Sequence, residues 1–238
     1  MQNIQDEFIA TVSHEMRTPL TSIRGFSQTL LSSWDKIDED NKKKFVKIIE
    51  EQSNRLINLV ENILTVSKIN TDKPIFKAVD VNISIEKVIQ LLNIKYKNRK
   101  ITSKYKSGLP FAKLDDEKFQ QVIMNLVDNA CKYSDEGQEI IIETGLGTAE
   151  DVIIKVIDKG VGIKTIDFDK VFEKFTRLEN HLTSKTQGNG LGLYITKNLV
   201  EQMQGKIWFE SVENVGTTFF VGIPIYNQEE ALKCSQQS

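Results

Sequence analysis

The stretch Phe8-Ile9-Ala10-Thr11-Val12-Ser13-His14-Glu15-Met16-Arg17-Thr18-Pro19-Leu20 decides how the N-terminal part of the chain folds. At about 100° per residue, one side of the predicted helix collects its apolar side chains, Ile9, Val12, Met16, Leu20, Ile23 and Leu30. His14 falls on the opposite side, toward solvent, with Thr18 one turn further along the same face. Because Pro19 cannot donate a hydrogen bond to the carbonyl of Glu15, we expect the helix to loosen beside the histidine. This pattern indicates a reactive site; the alternative is an ordinary surface histidine on an amphipathic helix.

Two amphipathic helices are predicted at the N-terminal end, over residues 4–33 and 39–69. Asp38 is the candidate cap of the second helix. The apolar face of that helix is wider than one hairpin partner covers, so we predict a homodimer through residues 4–69, in which two hairpins form a four-helix bundle. The alternative is that the second helix packs against the following domain.

The periodicity changes after a predicted linker at residues 71–74. Strands are expected over residues 75–81, 100–106, 111–114, 139–144, 151–158, 206–211 and 217–225. Helices are expected over 84–95, 115–132 and 191–204, with Asp115 as a cap. Helices and mostly antiparallel strands in blocks predict an α+β two-layer sandwich. The expected domains are a hairpin over 1–70 and a second domain over 75–226, followed by a disordered polar tail over 227–238.

The composition excludes several classes of function. The chain has 31 basic and 33 acidic residues, so nothing favours nucleic acid or an acidic membrane as a partner. Two cysteines, Cys131 and Cys234, are too few for a disulfide framework, which favours a cytoplasmic protein. No apolar run approaches the roughly 20 residues that cross a bilayer, and we expect a soluble protein.

A polar helix face is predicted within residues 120–134. Asn125, Asn129 and Lys132 recur at positions i, i+4 and i+7 and therefore line one side of the helix. Carboxamide oxygens are suitable ligands for Mg²⁺, and the lysine supplies a point charge for phosphate. The alternative is a solvated helix face without a ligand.

The segment Asp158-Lys159-Gly160-Val161-Gly162 follows a strand rich in valine and isoleucine. A carboxylate at that strand end can accept a hydrogen bond from the exocyclic amine of adenine, and Gly160 and Gly162 permit close approach of the backbone. The alternative is a simple turn, since Asp and Gly are common turn residues.

A second glycine segment, Gly188-Asn189-Gly190-Leu191-Gly192, opens a helix whose N–H groups can receive phosphate oxygens. The polar residues 178–189 before it suit a mobile lid over a nucleotide. Lys174 and Arg177 are placed to reach phosphate, or are only surface charges. For His181 we expect a surface role.

His-Glu-Met-Arg-Thr-Pro-Leu at residues 14–20 resembles the phosphoacceptor box of bacterial sensor histidine kinases. The asparagine, Asp-x-Gly-x-Gly and Gly-x-Gly-x-Gly segments, in this order, resemble the ATP-binding half of that family. The resemblance implies the GHKL, or Bergerat-type, ATP-binding fold, with ATP and Mg²⁺ as cofactors. It implies roles for Asn129 at the metal, together with Asn125, for Tyr133 against the nucleotide and for Asp158 at the adenine. Gly216-Thr217-Thr218 resembles the last glycine box.

The resemblance also implies an activity: autophosphorylation of His14 with ATP, then transfer of the phosphoryl group to an aspartate on the receiver domain of a response regulator. Glu15 is expected to hydrogen-bond the imidazole, and Thr18 to orient water in dephosphorylation of the regulator. A sensor region upstream of residue 1, often membrane-bound, is expected. The alternatives are an ATPase of the GHKL type that does not label itself, and a scaffold module that has lost catalysis.

Overall fold

The structure is a computed structural model that describes residues 2–69, 71–147, 150–178, 182 and 188–227. The chain forms two compact units: the first contains the described residues up to Lys68, and the second contains the described residues from Ile69 to Leu182 and from Gly190 onward. His181, most of the predicted lid and residues 228–238 of the predicted tail lie outside the described residues.

The first unit is a helical hairpin. Helix α1 runs over Gln2–Ser33 and continues across Pro19, a 3₁₀ turn follows at Trp34–Lys36, and helix α2 runs over Glu39–Lys68. The predicted cap of α2 is confirmed, since Oδ1 of Asp38 accepts a hydrogen bond from the Asn41 N–H at 2.9 Å. Leu30 of α1 and Leu59 of α2 are buried, and the rings of Phe26 on α1 and Phe45 on α2 lie 5.1 Å apart. Apolar contact between the two amphipathic faces therefore holds the hairpin together.

The second unit contains three helices and seven strands among the described residues. The helices are α3 (Val81–Lys95), α4 (Asp116–Lys132) and α5 (Gly192–Gln202). The strands are β1 (Lys77–Val79), β2 (Lys100–Lys104), β3 (Ala112–Leu114), β4 (Glu139–Leu146), β5 (Asp151–Asp158), β6 (Lys206–Val212) and β7 (Gly216–Pro224). A 3₁₀ helix at Thr165–Lys170 follows β5.

The main sheet of the second unit has the order β2-β4-β5-β7-β6, and β1 and β3 form a separate antiparallel pair. Only β2 and β4 pair in parallel; the other neighbours in the main sheet are antiparallel. Side chains along β5 alternate between buried and half-buried, as expected when one face of a sheet is covered. Helices α4 and α5 pack on the sheet and α3 packs on α4. The predicted two-layer α+β sandwich is confirmed.

The boundary between β1 and α3 was predicted incorrectly. The expected strand over 75–81 is only the three residues of β1, and α3 begins at Val81 rather than at residue 84. The reason is a cap: Oδ1 of Asp80 accepts hydrogen bonds from the N–H groups of Asn82 at 2.9 Å and Ile83 at 3.3 Å. A capping aspartate ends the extended segment and starts the helix.

The start of α4 agrees with its prediction. Oδ1 of Asp115 accepts a hydrogen bond from the Lys118 N–H at 3.2 Å, and the helix ends at Lys132. Its apolar side is fully buried, including Phe119, Val122, Ile123 and Leu126. The polar side is thereby held toward the end of β5.

In the part of the chain that the structure describes, no helix combines the length and apolar character needed to span a membrane.

Candidate functional site

His14 lies on the exposed side of α1, as predicted. Thr18 is also exposed, and its Oγ1 lies 3.5 Å from the backbone carbonyl oxygen of His14. The imidazole is therefore open to a reactant from solvent, with a hydroxyl one helical turn away.

Glu15 and Arg55 form an ion pair between the two helices of the hairpin. Oε2 of Glu15 lies 3.3 Å from Nη2 of Arg55, and both side chains are half-buried. Neighbouring helix residues point in different directions, and in this structure the carboxylate contacts Arg55. Sequence reasoning missed Arg55, because nothing in the pattern of α2 pairs it with a residue 40 positions earlier. The expected hydrogen bond from His14 to Glu15 stays a prediction.

The second unit encloses a cavity of about 300 Å³ between α4, the end of β5 and the segment around Thr165–Lys170. That volume is at the lower end for small-molecule sites. Its lining combines apolar walls with a few charged and amide side chains. The lining residues are Asn129, Ala130, Tyr133, Asp158, Val161, Gly162, Ile163, Lys164, Asp167, Val171, Thr176, Arg177, Leu178, Leu193, Glu213, Asn214, Thr217 and Phe219.

Asp158 is the buried carboxylate of this cavity. Its Oδ1 accepts hydrogen bonds from the backbone N–H groups of Gly160 at 2.9 Å and Thr217 at 3.2 Å. Burial raises the pKa of Asp158 to about 6, and the two backbone hydrogen bonds oppose that rise. Among the described residues none donates a hydrogen bond to Oδ2, so this oxygen is able to accept one from a ligand.

Gly160 and Gly162 are required by backbone packing. Gly162 has a φ of +64°, and a side chain there would collide with the carbonyl of Val212. A side chain at Gly160 would collide with the carbonyl of Tyr133, the same carbonyl that accepts a hydrogen bond from the Val161 N–H at 3.0 Å. The end of α4 and the loop after β5 therefore lie directly against each other, as close approach of backbones requires.

Helix α4 brings Asn129 and Tyr133 to the cavity but not Asn125. Nδ2 of Asn125 instead lies 3.4 Å from Oγ1 of Thr196 on α5. Within the described ranges, no three or more His, Cys, Asp or Glu side chains are grouped to hold a metal ion. A carboxamide oxygen from Asn129, with phosphate and water oxygens completing the shell, fits the preference of Mg²⁺ for few protein ligands.

Lys132 does not line the cavity. Its Nζ lies 2.6 Å from Oδ2 of Asp128, whose Oδ1 also receives Lys95 Nζ at 2.5 Å and the Tyr96 hydroxyl at 2.6 Å. Burial acts to raise the pKa of Asp128, but Lys132 and these hydrogen bonds hold it below its usual value. The predicted contact of Lys132 with phosphate would require it to leave this carboxylate, and it stays a prediction.

Of the residues predicted to bind phosphate, some line the cavity and others do not. Arg177 lines the cavity, whereas Lys174 does not, and its Nζ lies 4.8 Å from the ring centre of Tyr194. The glycine segment precedes α5 as predicted, and Gly190 has a φ of +68° that favours glycine. The structure places none of Gly188, Gly190, Leu191 and Gly192 in the cavity wall. Their role toward phosphate stays a prediction.

Sequence reasoning missed the apolar walls and the rim of the cavity. Val171, Leu193 and Phe219 form the walls, and a valine or phenylalanine of this kind has the same sequence signature as any core residue. Lys164, Asp167 and Glu213 also line the cavity; Lys164 and Glu213 lie 4.0 Å apart. Their nearness along the chain to Gly162 and Gly216 was the one signal that could have indicated them.

Two family models match the chain. The model described as the His Kinase A (phospho-acceptor) domain matches residues 4–72. The model described as the histidine kinase-, DNA gyrase B- and HSP90-like ATPase matches residues 114–227. The first match contains His14, and the second contains every residue that lines the cavity.

Similar proteins include curated relatives and solved structures. The sensor protein kinase WalK of Staphylococcus saprophyticus is 36% identical over 222 residues, which cover 92% of this chain and 36% of the relative. The chain thus spans about a third of that relative's length. Histidine kinase AdeS of Acinetobacter baumannii has a TM-score of 0.69 and 25% identity, covering 90% of this chain and 98% of that one. Histidine kinase ThkA, solved in complex with the response regulator protein TrrA, has a TM-score of 0.75 and 26% identity, covering 94% of this chain and 63% of that one.

Proposed function

The chain belongs to the sensor histidine kinases, and from this membership we propose that it is the catalytic core of an ATP-dependent protein-histidine kinase. In the proposed reaction Nε2 of His14 attacks the γ-phosphorus of ATP. The bond between that phosphorus and the β–γ bridging oxygen breaks, and ADP leaves. A carboxylate oxygen of an aspartate on a response regulator then attacks the phosphohistidine, and the imidazole is released.

The observation that carries the proposal is the cavity built around Asp158. The carboxylate is buried and fixed through one oxygen by two backbone N–H groups, which leaves Oδ2 to accept a hydrogen bond from the amine of adenine. The apolar walls formed by Val171, Leu193 and Phe219 suit the faces of a planar base. Asn129 in the last turn of α4 and Tyr133, the residue that follows the helix, line the same cavity.

Mg²⁺ fits the polar side of this site. Asn129 would hold the metal ion, together with Asn125 as the family resemblance implies, and the ion would neutralise charge on the phosphate oxygens. Arg177, at the cavity wall, would bind phosphate. Lys132, Lys174 and the glycine segment would complete the phosphate site on nucleotide binding, with Lys132 released from Asp128.

We propose that Glu15 accepts a hydrogen bond from the Nδ1–H group of His14, which keeps Nε2 unprotonated and nucleophilic. In the structure its carboxylate contacts Arg55 at 3.3 Å. Glu15 would therefore exchange Arg55 for the imidazole during the reaction. Arg55 in turn would hold the carboxylate near the histidine between turnovers.

We propose that a second copy of the chain covers the hairpin. Several large apolar side chains of α1 and α2 remain half or more exposed, among them Ile9, Leu20, Val46, Ile57 and Leu64. Two hairpins packed as a four-helix bundle would bury these side chains. The phospho-acceptor family model spans the same residues, 4–72, and supports this arrangement.

The proposed protein partner is the receiver domain of a response regulator. The solved ThkA structure, similar over 94% of this chain, is a complex with such a regulator, and this supports the proposal. Because Thr18 is exposed on the face of His14, we propose that it orients the water that dephosphorylates the regulator. We also propose a cytoplasmic location for this core, because the proposed reaction consumes ATP. The described residues offer no reason to propose a nucleic acid partner.

The proposal is tested by incubating the protein with ATP and Mg²⁺ and measuring its intact mass at neutral pH. A gain of one phosphoryl group per chain that maps to His14 supports a histidine kinase. ATP hydrolysis without a change of mass would instead favour an ATPase of the same fold.

A further inference from the structure

Arg99 lies between α3 and β2 and binds the C-terminal end of α4, the helix that carries Asn129 and is followed by Tyr133. Its Nη2 donates to the backbone carbonyls of Cys131 at 2.5 Å and Ser134 at 2.6 Å. Its Nη1 donates to the carbonyl of Asp135 and lies 3.5 Å from Oγ of Ser134. One guanidinium thus binds three backbone carbonyls at and just beyond the C-terminus of α4.

The Cys131 carbonyl belongs to the last turn of α4, where a helix leaves its carbonyls without helical partners, and the Ser134 and Asp135 carbonyls lie just beyond that end. A cation there also interacts favourably with the negative end of the helix dipole. Lysine could supply the charge, but only the planar fork of arginine presents two donor nitrogens at a fixed angle to several acceptors. Arg99 therefore does more than neutralise the negative end of the helix dipole. It also fixes the position of residues 131–135.

The same residues set the geometry of the cavity. Tyr133 lies inside the clamped segment, lines the cavity and accepts the hydrogen bond from the Val161 N–H at 3.0 Å. Val161 belongs to the loop that holds Asp158, and Gly160 of that loop packs against the Tyr133 carbonyl. A chain of backbone contacts thus runs from Arg99 through Tyr133 to the loop beside the buried carboxylate.

We propose that Arg99 is a positioning residue for the nucleotide site: it holds Tyr133 and, through the Val161 N–H, the loop after Asp158 in the geometry that binds ATP. Arg99 does not line the cavity and touches no nucleotide itself. This inference rests on the proposed binding of ATP by the second unit. It adds a residue whose contribution is to the affinity for nucleotide and not only to the stability of the fold.

The test compares Arg99→Ala and Arg99→Lys with Ser84→Ala as the matched control. Ser84 is buried on α3 and donates to Oδ1 of Asp116 at the opposite end of α4, so its loss weakens the anchoring of the same helix away from the cavity. For each variant, unfolding temperature, the dissociation constant for ATP with Mg²⁺, and hydrogen exchange of a peptide containing Val161 are measured well below the unfolding transition.

We expect Arg99→Ala to weaken ATP binding by about tenfold or more, the equivalent of one charge-assisted hydrogen bond, and to speed exchange at Val161. Arg99→Lys should recover part of both effects, because it keeps the charge but loses the fork. Ser84→Ala should lower the unfolding temperature while leaving ATP affinity and Val161 exchange unchanged. Equal losses of stability with unchanged affinity in the Arg99 variants would overturn the inference. Failure of the unmodified protein to bind ATP would instead overturn the proposed function.

Discussion

The Thr217 N–H, at the start of β7, donates a hydrogen bond to Oδ1 of Asp158 at the end of β5, at a distance of 3.2 Å. The two residues are also register partners in the sheet. The carboxylate that we assign to adenine recognition is therefore held by the pairing of two central strands. Its role can therefore be tested by a substitution that keeps the shape of the side chain.

Asp158→Asn should abolish most ATP binding while stabilising the protein without nucleotide. The amide oxygen can still accept from Gly160 and Thr217, but its NH₂ group would face the amine of adenine, donor against donor. A loss of about a hundredfold in affinity is expected. Because burial raises the pKa of Asp158 from 3.8 to about 6, removing the charge should stabilise the folded state at pH 7 by up to about 3 kcal/mol. Calorimetric titration and chemical denaturation measure the two effects, and unchanged affinity would contradict the assignment.

The affinity for ATP should fall as the pH is lowered through about 6. The protonated Asp158 carboxyl cannot accept at the oxygen that carries the proton, and its pKa of about 6 in the folded protein sets the midpoint. At one pH unit below the midpoint the affinity should be about tenfold lower. Stability without nucleotide should change in the opposite sense: the raised pKa stabilises the fold below pH 3.8, and this contribution is lost as the pH rises through 6.

The matched control for this pH dependence is Asp158→Asn. Titration of the ATP phosphates affects both proteins equally, so it cancels in the comparison. Equal pH dependence in the two proteins would show that Asp158 does not control binding.

A charge placed in the exposed apolar face of the hairpin should separate the proposed dimer. Leu20 and Ile57 are 50% and 54% exposed in one chain, and a bundle of two hairpins would bury them. Leu20→Glu or Ile57→Glu would then bury an unpaired charge, which strongly destabilises an interface. Light scattering should report a dimer for the unmodified protein and for Gln28→Glu, an exposed polar control, and a monomer for the other two variants. A monomeric unmodified protein would contradict the dimer.

His14→Ala and Thr18→Ala should separate the two proposed activities. Loss of the imidazole removes the phosphoryl acceptor and should abolish labelling, whereas dephosphorylation of a phosphorylated regulator should continue. Loss of the Thr18 hydroxyl should reduce dephosphorylation by about a hundredfold, the usual range for a group that orients a reacting water, and leave labelling intact. Equal loss of both activities in Thr18→Ala would reject its separate role.

The sequence predicted those parts of the fold that depend on local signals. Asp38 and Asp115 correctly predicted the start of two helices, because an aspartate just before an amphipathic segment is a local capping signal. The equivalent signal at Asp80 was overlooked, since Ile75 and Val81 favoured a longer strand. The length of β1 could not be predicted, because its partner β3 ends after three residues and lies far along the chain.

The candidate site could be predicted at positions where the backbone conformation or packing allows only one type of residue. Asp158, Gly160 and Gly162 carry such a pattern, and the structure gives each of them a specific backbone contact. Its spacing on α4 predicted that Lys132 binds phosphate. In the structure Lys132 instead pairs with Asp128, whose carboxylate also binds Lys95 and Tyr96 from the C-terminal end of α3. Contacts of this kind, like that of Arg55 with Glu15, exist only once the chain has folded.

The most direct test of the account is labelling with γ-labelled ATP and Mg²⁺, followed by exposure of the labelled protein to acid and to alkali beside a His14→Gln control. A phosphorus–nitrogen bond to imidazole hydrolyses in acid and survives alkali. The account predicts label that is lost in acid, retained in alkali and absent from His14→Gln. Label that survives acid, or that persists in His14→Gln, would contradict the assignment of His14 as the phosphoryl acceptor.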